Sequence, residues 1–235
     1  MAKGYFEFKQ FTIHQECCAM KVGTDGTLLG AWASAPTGPC RILDIGTGTG
    51  LIALMMAQRY PEAEVYGIDI DGGAVSQAKT NVADSPFANR VYIIQTDIVD
   101  CSVEPFDAIV CNPPFFVNSL TCPDPSRTQA RHAATLTYKI LMQSVKKLLK
   151  KDGLFSVVIP ADYRSPLLSE AAQAELILSK ECAIKTTLQK ATRRYLMEFR
   201  NNAVAVVSST TETLEINPGQ RSDWYHNLTK DFYLK

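Results

Sequence analysis

No stretch of the 235-residue chain reaches the roughly 18 uninterrupted apolar residues that a membrane-crossing helix requires, and the opening MAKGYFEFKQ lacks the apolar core of a secretory signal. Both absences lead us to expect a cytosolic protein that does not engage the bilayer. The seven cysteines include no CxxC pair and no repeated spacing; Cys17 and Cys18 are adjacent and the others isolated. The pattern therefore predicts reduced, mostly buried thiols with neither a zinc site nor a disulfide framework. Internal repeats, low-complexity tracts and long linkers are also missing, so one domain over residues 1–235 is expected, with 1–35 as an extension to a 36–235 core. Net charge is zero, with 24 Lys+Arg against 24 Asp+Glu, which gives the whole chain no field of the kind that gathers nucleic acid. The distribution is less even: residues 127–200 hold 14 Lys+Arg and 6 Asp+Glu, leaving 10 and 18 for the remainder.

Apolar residues make up 46% of the chain, ample for an α/β core. Residues 5–13 alternate about Lys9–Gln10 and predict a short hairpin. A glycine-rich turn follows, with Asp25 as a candidate cap of a helix ending near Ser34. From there strands and helices alternate. Strands are predicted at Arg41–Ile45, Glu64–Ile68, Val91–Gln95, Ala108–Cys111 and Leu154–Ile159. The intervening helical stretches are Leu51–Arg59, Gly73–Val82 and Leu136–Lys151. Cys182–Leu188 and Met197–Val207 predict a closing antiparallel pair. Strands joined by helix-length crossovers give a doubly wound, mostly parallel sheet, which binds ligands beyond the carboxyl ends of its strands.

LDIGTGTGLIA places Gly46, Gly48 and Gly50 between a buried strand and a helix, where glycine lets the backbone approach a ligand closely. The loop reads GxGxG rather than the GxGxxG of a nicotinamide dehydrogenase, and Asp44 precedes it. A pyrophosphate needs the helix amino terminus free for its charge. S-adenosylmethionine instead carries an ammonium that a carboxylate such as Asp44 can meet, directly or through water. Asp69, ending the second parallel strand, can accept from both ribose hydroxyls. Asp97, after the third, can accept from the adenine amine, with Ile70 and Ile98 as walls of that ring's pocket. Each Asp could alone be a helix cap; three in succession at one sheet edge point to a cofactor.

The fourth strand ends in Asn112-Pro113-Pro114-Phe115. Proline has no amide hydrogen, so this tip is rich in acceptors and poor in donors. Asn112 Oδ1 and the Pro113 carbonyl can each take one hydrogen of a planar NH2 group, and Phe115 offers a face on which an extruded base can stack.

DIGTGTG, the acids Asp69 and Asp97, and NPPF together resemble the class I S-adenosylmethionine-dependent amino-methyltransferases over about Arg41–Val207. FKQFTIHQECCAMKVGTDGTLLGAWA, the QARH segment at Gln129–His132 and the terminal YHNLTKDFYL are similar, nearly end to end, to the bacterial tRNA(Val) adenine-N6 methyltransferase family, which modifies the adenosine just 3′ of the anticodon. The resemblance implies a seven-stranded sheet whose last strand is antiparallel, with Asp44, Gly46 and Gly48 in the cofactor loop. It assigns Asp69 to the ribose, Asp97 to the adenine, and Asn112-Pro113-Pro114-Phe115 to the target amine. Thr24 and Asp25 would close over the methionine end of S-adenosyl-L-methionine. Tyrosine is frequent in the family where Phe115 stands, and NPPF also occurs in guanine-N2 methyltransferases of ribosomal RNA, so adenine and guanine both stay open at this stage.

In that strand order the loop between the last two strands opens at the cofactor edge. Lys190, Arg193 and Arg194 there, with Arg127 and Arg131 after the NPPF tip and Arg164 after the fifth strand, are the cations expected to contact RNA phosphates. The expected partner is tRNA, without metal or membrane, and the chain is taken as a monomer. The competing readings are guanine-N2 methylation of RNA, glutamine-amide methylation of protein, a noncatalytic cofactor- or RNA-binding module and, last, a dehydrogenase.

Overall fold

Apolar runs too short for helices, separated by crossovers long enough to hold one, assemble here into one twisted sheet covered on both faces. The computed structural model describes residues 4–16, 21–101, 103–114, 136–203 and 205–234. An antiparallel hairpin of β1 (Tyr5–Glu7) and β2 (Thr12–His14) comes first, followed by α1 (Thr24–Trp32). The alternating region contains β3 (Arg41–Ile45), α2 (Leu51–Arg59), β4 (Glu64–Asp69), α3 (Gly72–Ala83), β5 (Val91–Gln95) and β6 (Phe106–Cys111). It continues with α4 (Tyr138–Leu148), β7 (Leu149–Pro160), α5 (Arg164–Gln173), β8 (Ile177–Lys185) and β9 (Thr192–Arg200). Then come β10 (Ser208–Thr213), the small pair β11 (Glu215–Asn217) and β12 (Gln220–Arg221), and α6 (Asp223–Thr229).

The main sheet has the order β10-β8-β9-β7-β6-β3-β4-β5. Every neighbouring pair is parallel except the two made by β9, which runs against both β7 and β8. This is the class I methyltransferase order, with β9 as the antiparallel last strand of seven. An eighth strand, β10, adds in parallel outside β8. Its sequence, SSTTET, is largely exposed and carries no apolar alternation, so strand patterning could not find it.

Successive side chains of a strand point to opposite faces, and the core divides accordingly. Ile42, Val110, Val158 and Leu196 join the cluster under α1, α2 and α3, which also takes in Phe8, Phe11 and Ile13 of the hairpin region. Leu43, Ile45, Ile109, Phe155 and Phe199 join the other, under α4 and α5. Asp44 lies between Leu43 and Ile45 and so faces α2.

Several boundaries differ from expectation, and β6 and β7 start earlier than predicted, at Phe106 and Leu149. The helix predicted over Leu136–Lys151 is α4, shorter at both ends. Thr137 Oγ1 accepts from Ile140 N at 3.2 Å and fixes its start, and Leu149 already pairs with Phe106 as the first residue of β7. The closing strands lie earlier than Cys182–Leu188 and Met197–Val207, because Leu188, Val206 and Val207 are apolar but exposed and belong to no sheet. Asp25 is not the cap of α1. Gly23 holds that position, and Asp25 sits within the first turn.

Candidate active site

The parallel register brings the expected site residues to one sheet edge. Ile45 is level with Ile68 of β4 and with Cys111 of β6, so Gly46 emerges between Asp69 and Asn112. The glycine loop then turns into α2. Gly46, Gly48 and Gly50 all have positive φ, at 68°, 55° and 82°, a region that side chains disfavour. Two of them matter in different ways. A Cβ on Gly50 would come within 3.4 Å of Ala78 Cβ, so this glycine lets α2 start tight against α3, whereas a Cβ on Gly46 would meet nothing within 4 Å. The loop is therefore packed at its base and open on its ligand side.

Asp44 is fully buried. Its Oδ2 accepts from Thr47 Oγ1 at 2.7 Å and from Ala53 N at 3.1 Å, which fixes the carboxylate against the loop and the start of α2. Its Oδ1 is buried and has no hydrogen-bond partner in the protein. Burial pushes the Asp44 pKa up to about 7; the Thr47 and Ala53 bonds oppose the shift and the charge of Asp69 adds to it. A buried carboxylate oxygen left unpaired is unfavourable unless a donor reaches it. An ammonium at that position would supply the donor and the countercharge together.

Asp69 is held by two backbone amides. Oδ2 accepts from Gly48 N at 2.9 Å and Oδ1 from Asp71 N at 3.0 Å, tying the end of β4 to the glycine loop. Each oxygen keeps a further lone pair, which suits a vicinal diol. Asp97 lies two residues beyond β5, and its Oδ1 accepts from Val99 N at 3.1 Å, a local turn bond that engages one oxygen. Ile98 is buried, while Ile70 is half exposed.

On the other side of Gly46, Asn112 Oδ1 is also buried and unpartnered. Pro113 is buried and Pro114 exposed. Just before them, burial pushes the Cys111 thiol well up, with the charges of Asp44 and Asp69 adding to the effect, so the tips of three strands share one electrostatic neighbourhood and the thiol is unsuited to nucleophilic chemistry. Two unsatisfied acceptors, Asp44 Oδ1 and Asn112 Oδ1, thus lie at the ends of neighbouring strands. This donor-hungry arrangement fits S-adenosyl-L-methionine, whose ammonium is a donor, beside a substrate amine that is a second donor.

The structure places Thr24 and Asp25 beside this site by way of α1. A Cβ on Gly26 would stand 3.2 Å from Leu51 Cδ2 and 3.9 Å from Asn112 Nδ2, so the first turn of α1 lies between the start of α2 and the β6 tip. Thr24 is exposed there. Asp25 Oδ2 accepts from Arg194 Nε at 2.8 Å, an ion pair that links α1 to β9 and that local sequence could not reveal. Lys190 and Arg193 are exposed at the β8–β9 turn, at the same edge, since Arg194 is level with Pro160 at the end of β7. Arg164 is committed elsewhere: its Nε and Nη2 bond both oxygens of the buried Glu181, at 2.9 and 3.0 Å. Phe115, Arg127 and Arg131 lie outside the described residues. Among the described residues no group of three or more His, Cys, Asp or Glu could hold a metal ion.

Comparison with known proteins agrees with this geometry. The Methyltransferase small domain family matches residues 27–181. A tRNA1(Val) (adenine(37)-N6)-methyltransferase from Bacteroides thetaiotaomicron is 45% identical over 236 residues, covering 100% of this chain and 99% of the relative. Those of Parabacteroides distasonis, at 46% with 100% of both chains covered, and Erwinia tasmaniensis, at 40% with 97% and 94% covered, are similar in the same way. Among solved structures, a predicted O-methyltransferase from Agrobacterium tumefaciens superposes with a TM-score of 0.72 at 15% identity, covering 88% of this chain and 96% of its own. That likeness speaks for the fold alone. The full-length identities carry the finer assignment, and the chain belongs to the tRNA1(Val) (adenine(37)-N6)-methyltransferase family.

Proposed function

We propose that this protein transfers a methyl group from S-adenosyl-L-methionine to the exocyclic N6 amine of an adenosine in tRNA, adenosine 37 of tRNA1(Val), next to the anticodon. The observation that carries the reading is the pair of buried, unpartnered acceptors, Asp44 Oδ1 and Asn112 Oδ1, at the ends of the neighbouring strands β3 and β6. The cofactor, when bound, supplies an electrophilic methyl on a cationic sulfur. The chain's own part is binding, orientation and exclusion of water. Asp44 Oδ1 would hold the ammonium of the methionine moiety, Asp69 the ribose hydroxyls, and Asp97 with Ile70 and Ile98 the adenine. Gly46 and Gly48 keep the loop backbone clear of side chains where the cofactor passes.

Asn112 Oδ1 and the Pro113 carbonyl would accept the two hydrogens of the target amine and so aim its lone pair, with Pro114 stiffening the tip and Phe115 stacking on the base. Catalysis of this kind is mostly positioning, which is why the tip offers acceptors rather than a general base. The proton leaves the product nitrogen after transfer. Thr24 and Asp25, in the extension formed by residues 1–35, would close the methionine end. Lys190, Arg193 and Arg194, with Arg127 and Arg131, would bear on tRNA phosphates, Arg194 doing so from its seat against Asp25. We place the protein in the cytoplasm as a monomer, where its tRNA substrate resides. The test is incubation with labelled S-adenosyl-L-methionine and total tRNA from a strain lacking this protein, followed by nucleoside chromatography. Label in N6-methyladenosine is expected; label in N2-methylguanosine, or only in protein, would overturn the reading.

A further inference from the structure

We infer that Asn81 is a positioning residue that locks the amino-terminal hairpin to the glycine loop and thereby sets the loop for its cofactor; the inference rests on the cofactor reading above. Asn81 lies near the end of α3 and is wholly buried. In the hairpin, Gln15 N donates to Gly4 O and Phe8 N to Phe11 O, both at 2.9 Å. Hydrogen-bonded and non-bonded pairs alternate along an antiparallel ladder, so the Tyr5–His14 pair between them turns its backbone groups outward. The N–H and C=O of His14 must therefore be met by something other than β1.

A single side-chain amide meets both. Asn81 Oδ1 accepts from His14 N at 2.9 Å and Asn81 Nδ2 donates to His14 O at 2.9 Å, so the amide pairs with the hairpin edge as a neighbouring strand would. The remaining hydrogen of Nδ2 goes to Thr49 O, also at 2.9 Å. Thr49 stands between Gly48 and Gly50 in the loop. One turn earlier on the same face of α3, Ala78 is the residue against which Gly50 packs. The loop is thus seated on α3 at two successive positions, by contact at Ala78 and by hydrogen bond at Asn81.

That seat bears on both halves of the site. Gly48 N holds Asp69 Oδ2, and Thr47 Oγ1 holds Asp44 Oδ2, so a displaced Thr49 would carry both acids with it. On the hairpin side, Gln15 Oε1 accepts from Val22 N at 2.8 Å and brings the chain back at the approach to α1, whose Gly26 lies against Asn112. Asn81 thus ties the hairpin to the glycine loop, and Gln15 ties it to the approach to α1. Asn81 spends its amide on three backbone partners, so its effect is on where the ligand-bearing groups stand.

Two substitutions approach the link from opposite sides. Asn81→Asp keeps an acceptor for His14 N but replaces the two donated bonds with an oxygen facing two carbonyls. His14→Pro removes one N–H at an extended, unladdered position that proline tolerates, leaving Asn81 itself intact. Each folded variant should bind S-adenosyl-L-methionine about tenfold or more weakly, while kcat at saturating substrates changes less than about threefold. Amide hydrogen exchange should quicken together in residues 12–16 and 46–51. In the unsubstituted protein, cofactor binding should slow exchange in both segments. Protection of 46–51 alone, or either folded variant binding within about twofold of wild type, would overturn the link. If the unsubstituted protein does not bind S-adenosyl-L-methionine at all, the functional reading fails instead; coupled exchange in Asn81→Asp then still decides whether hairpin and loop are joined.

Discussion

Asp44→Asn should stabilise the ligand-free protein at alkaline pH while weakening its hold on the cofactor. The carboxylate has a folded pKa of about 7 against an ordinary value of 3.8, because ionisation leaves a charge buried with one oxygen unpaired. A group whose pKa is raised by folding contributes stability that is full below its unfolded value and is lost as pH climbs toward the folded one. A shift of that size corresponds to about 4 kcal/mol, and about 3 kcal/mol of it falls between pH 5 and pH 8. Asparagine keeps the acceptor for Thr47 and Ala53 and does not titrate. The stability of Asp44→Asn minus that of wild type should therefore rise by about 3 kcal/mol from pH 5 to pH 8, or roughly 6–12 °C in Tm for a chain of this size. Removing one partner of a buried charge pair costs about 2 kcal/mol or more, so the affinity for S-adenosyl-L-methionine should drop at least about thirtyfold. Wild-type affinity should itself fall about tenfold per pH unit below 7, where Asp44 must give up its proton to meet the ammonium. Thermal unfolding at the two pH values and calorimetric titration supply the measurements. Parallel pH profiles for the two proteins, or undiminished cofactor binding by the variant, would refute the burial argument.

The other predictions concern the edges of the site. Asn112→Ala should retain cofactor binding and lose about two to three orders of magnitude in kcat, as when an oriented hydrogen-bonding group is removed from a transition state; near-normal turnover would remove the tip from catalysis. A double-mutant cycle of Asp25→Ala and Arg194→Ala, read in cofactor affinity, should show coupling of about 0.5–1 kcal/mol, reduced from that of a dry pair because both side chains keep some solvent contact. Additive effects would mean that the ion pair does not act on the site. Lys190→Ala and Arg193→Ala should each weaken tRNA binding and lower the salt slope by about one, with S-adenosyl-L-methionine affinity unchanged; an unaltered slope would take the cation off the phosphates.

The reach of each interaction decided how far sequence could disclose it. Arg41–Ile45, Leu51–Arg59 and Val91–Gln95 fall where periodicity put them, because a buried strand, an alternating edge strand or a helix capped by glycine writes its limits into its own and adjacent residues. Asp44, Asp69 and Asn112 were legible for a similar reason: each lies at or within one residue of the end of a parallel strand, and parallel strands deliver their ends to one edge. The orientation of those groups was not. Thr47 and Ala53 fix Asp44, and Gly48 orients Asp69, through contacts that exist only after the loop has folded. Asp25 read locally as a helix cap, yet an arginine 169 residues further along the chain captures it. Asn81 near a helix end carries no local mark of its three backbone partners.

The most direct measurement is a crystal structure with S-adenosylhomocysteine, the demethylated product. It should show the ligand's ammonium on Asp44 Oδ1, Asn112 Oδ1 facing the sulfur, and a gap between them wide enough for a flat nucleobase. An Asn112 amide turned away from the sulfur, with protein filling that gap, would contradict the proposed chemistry.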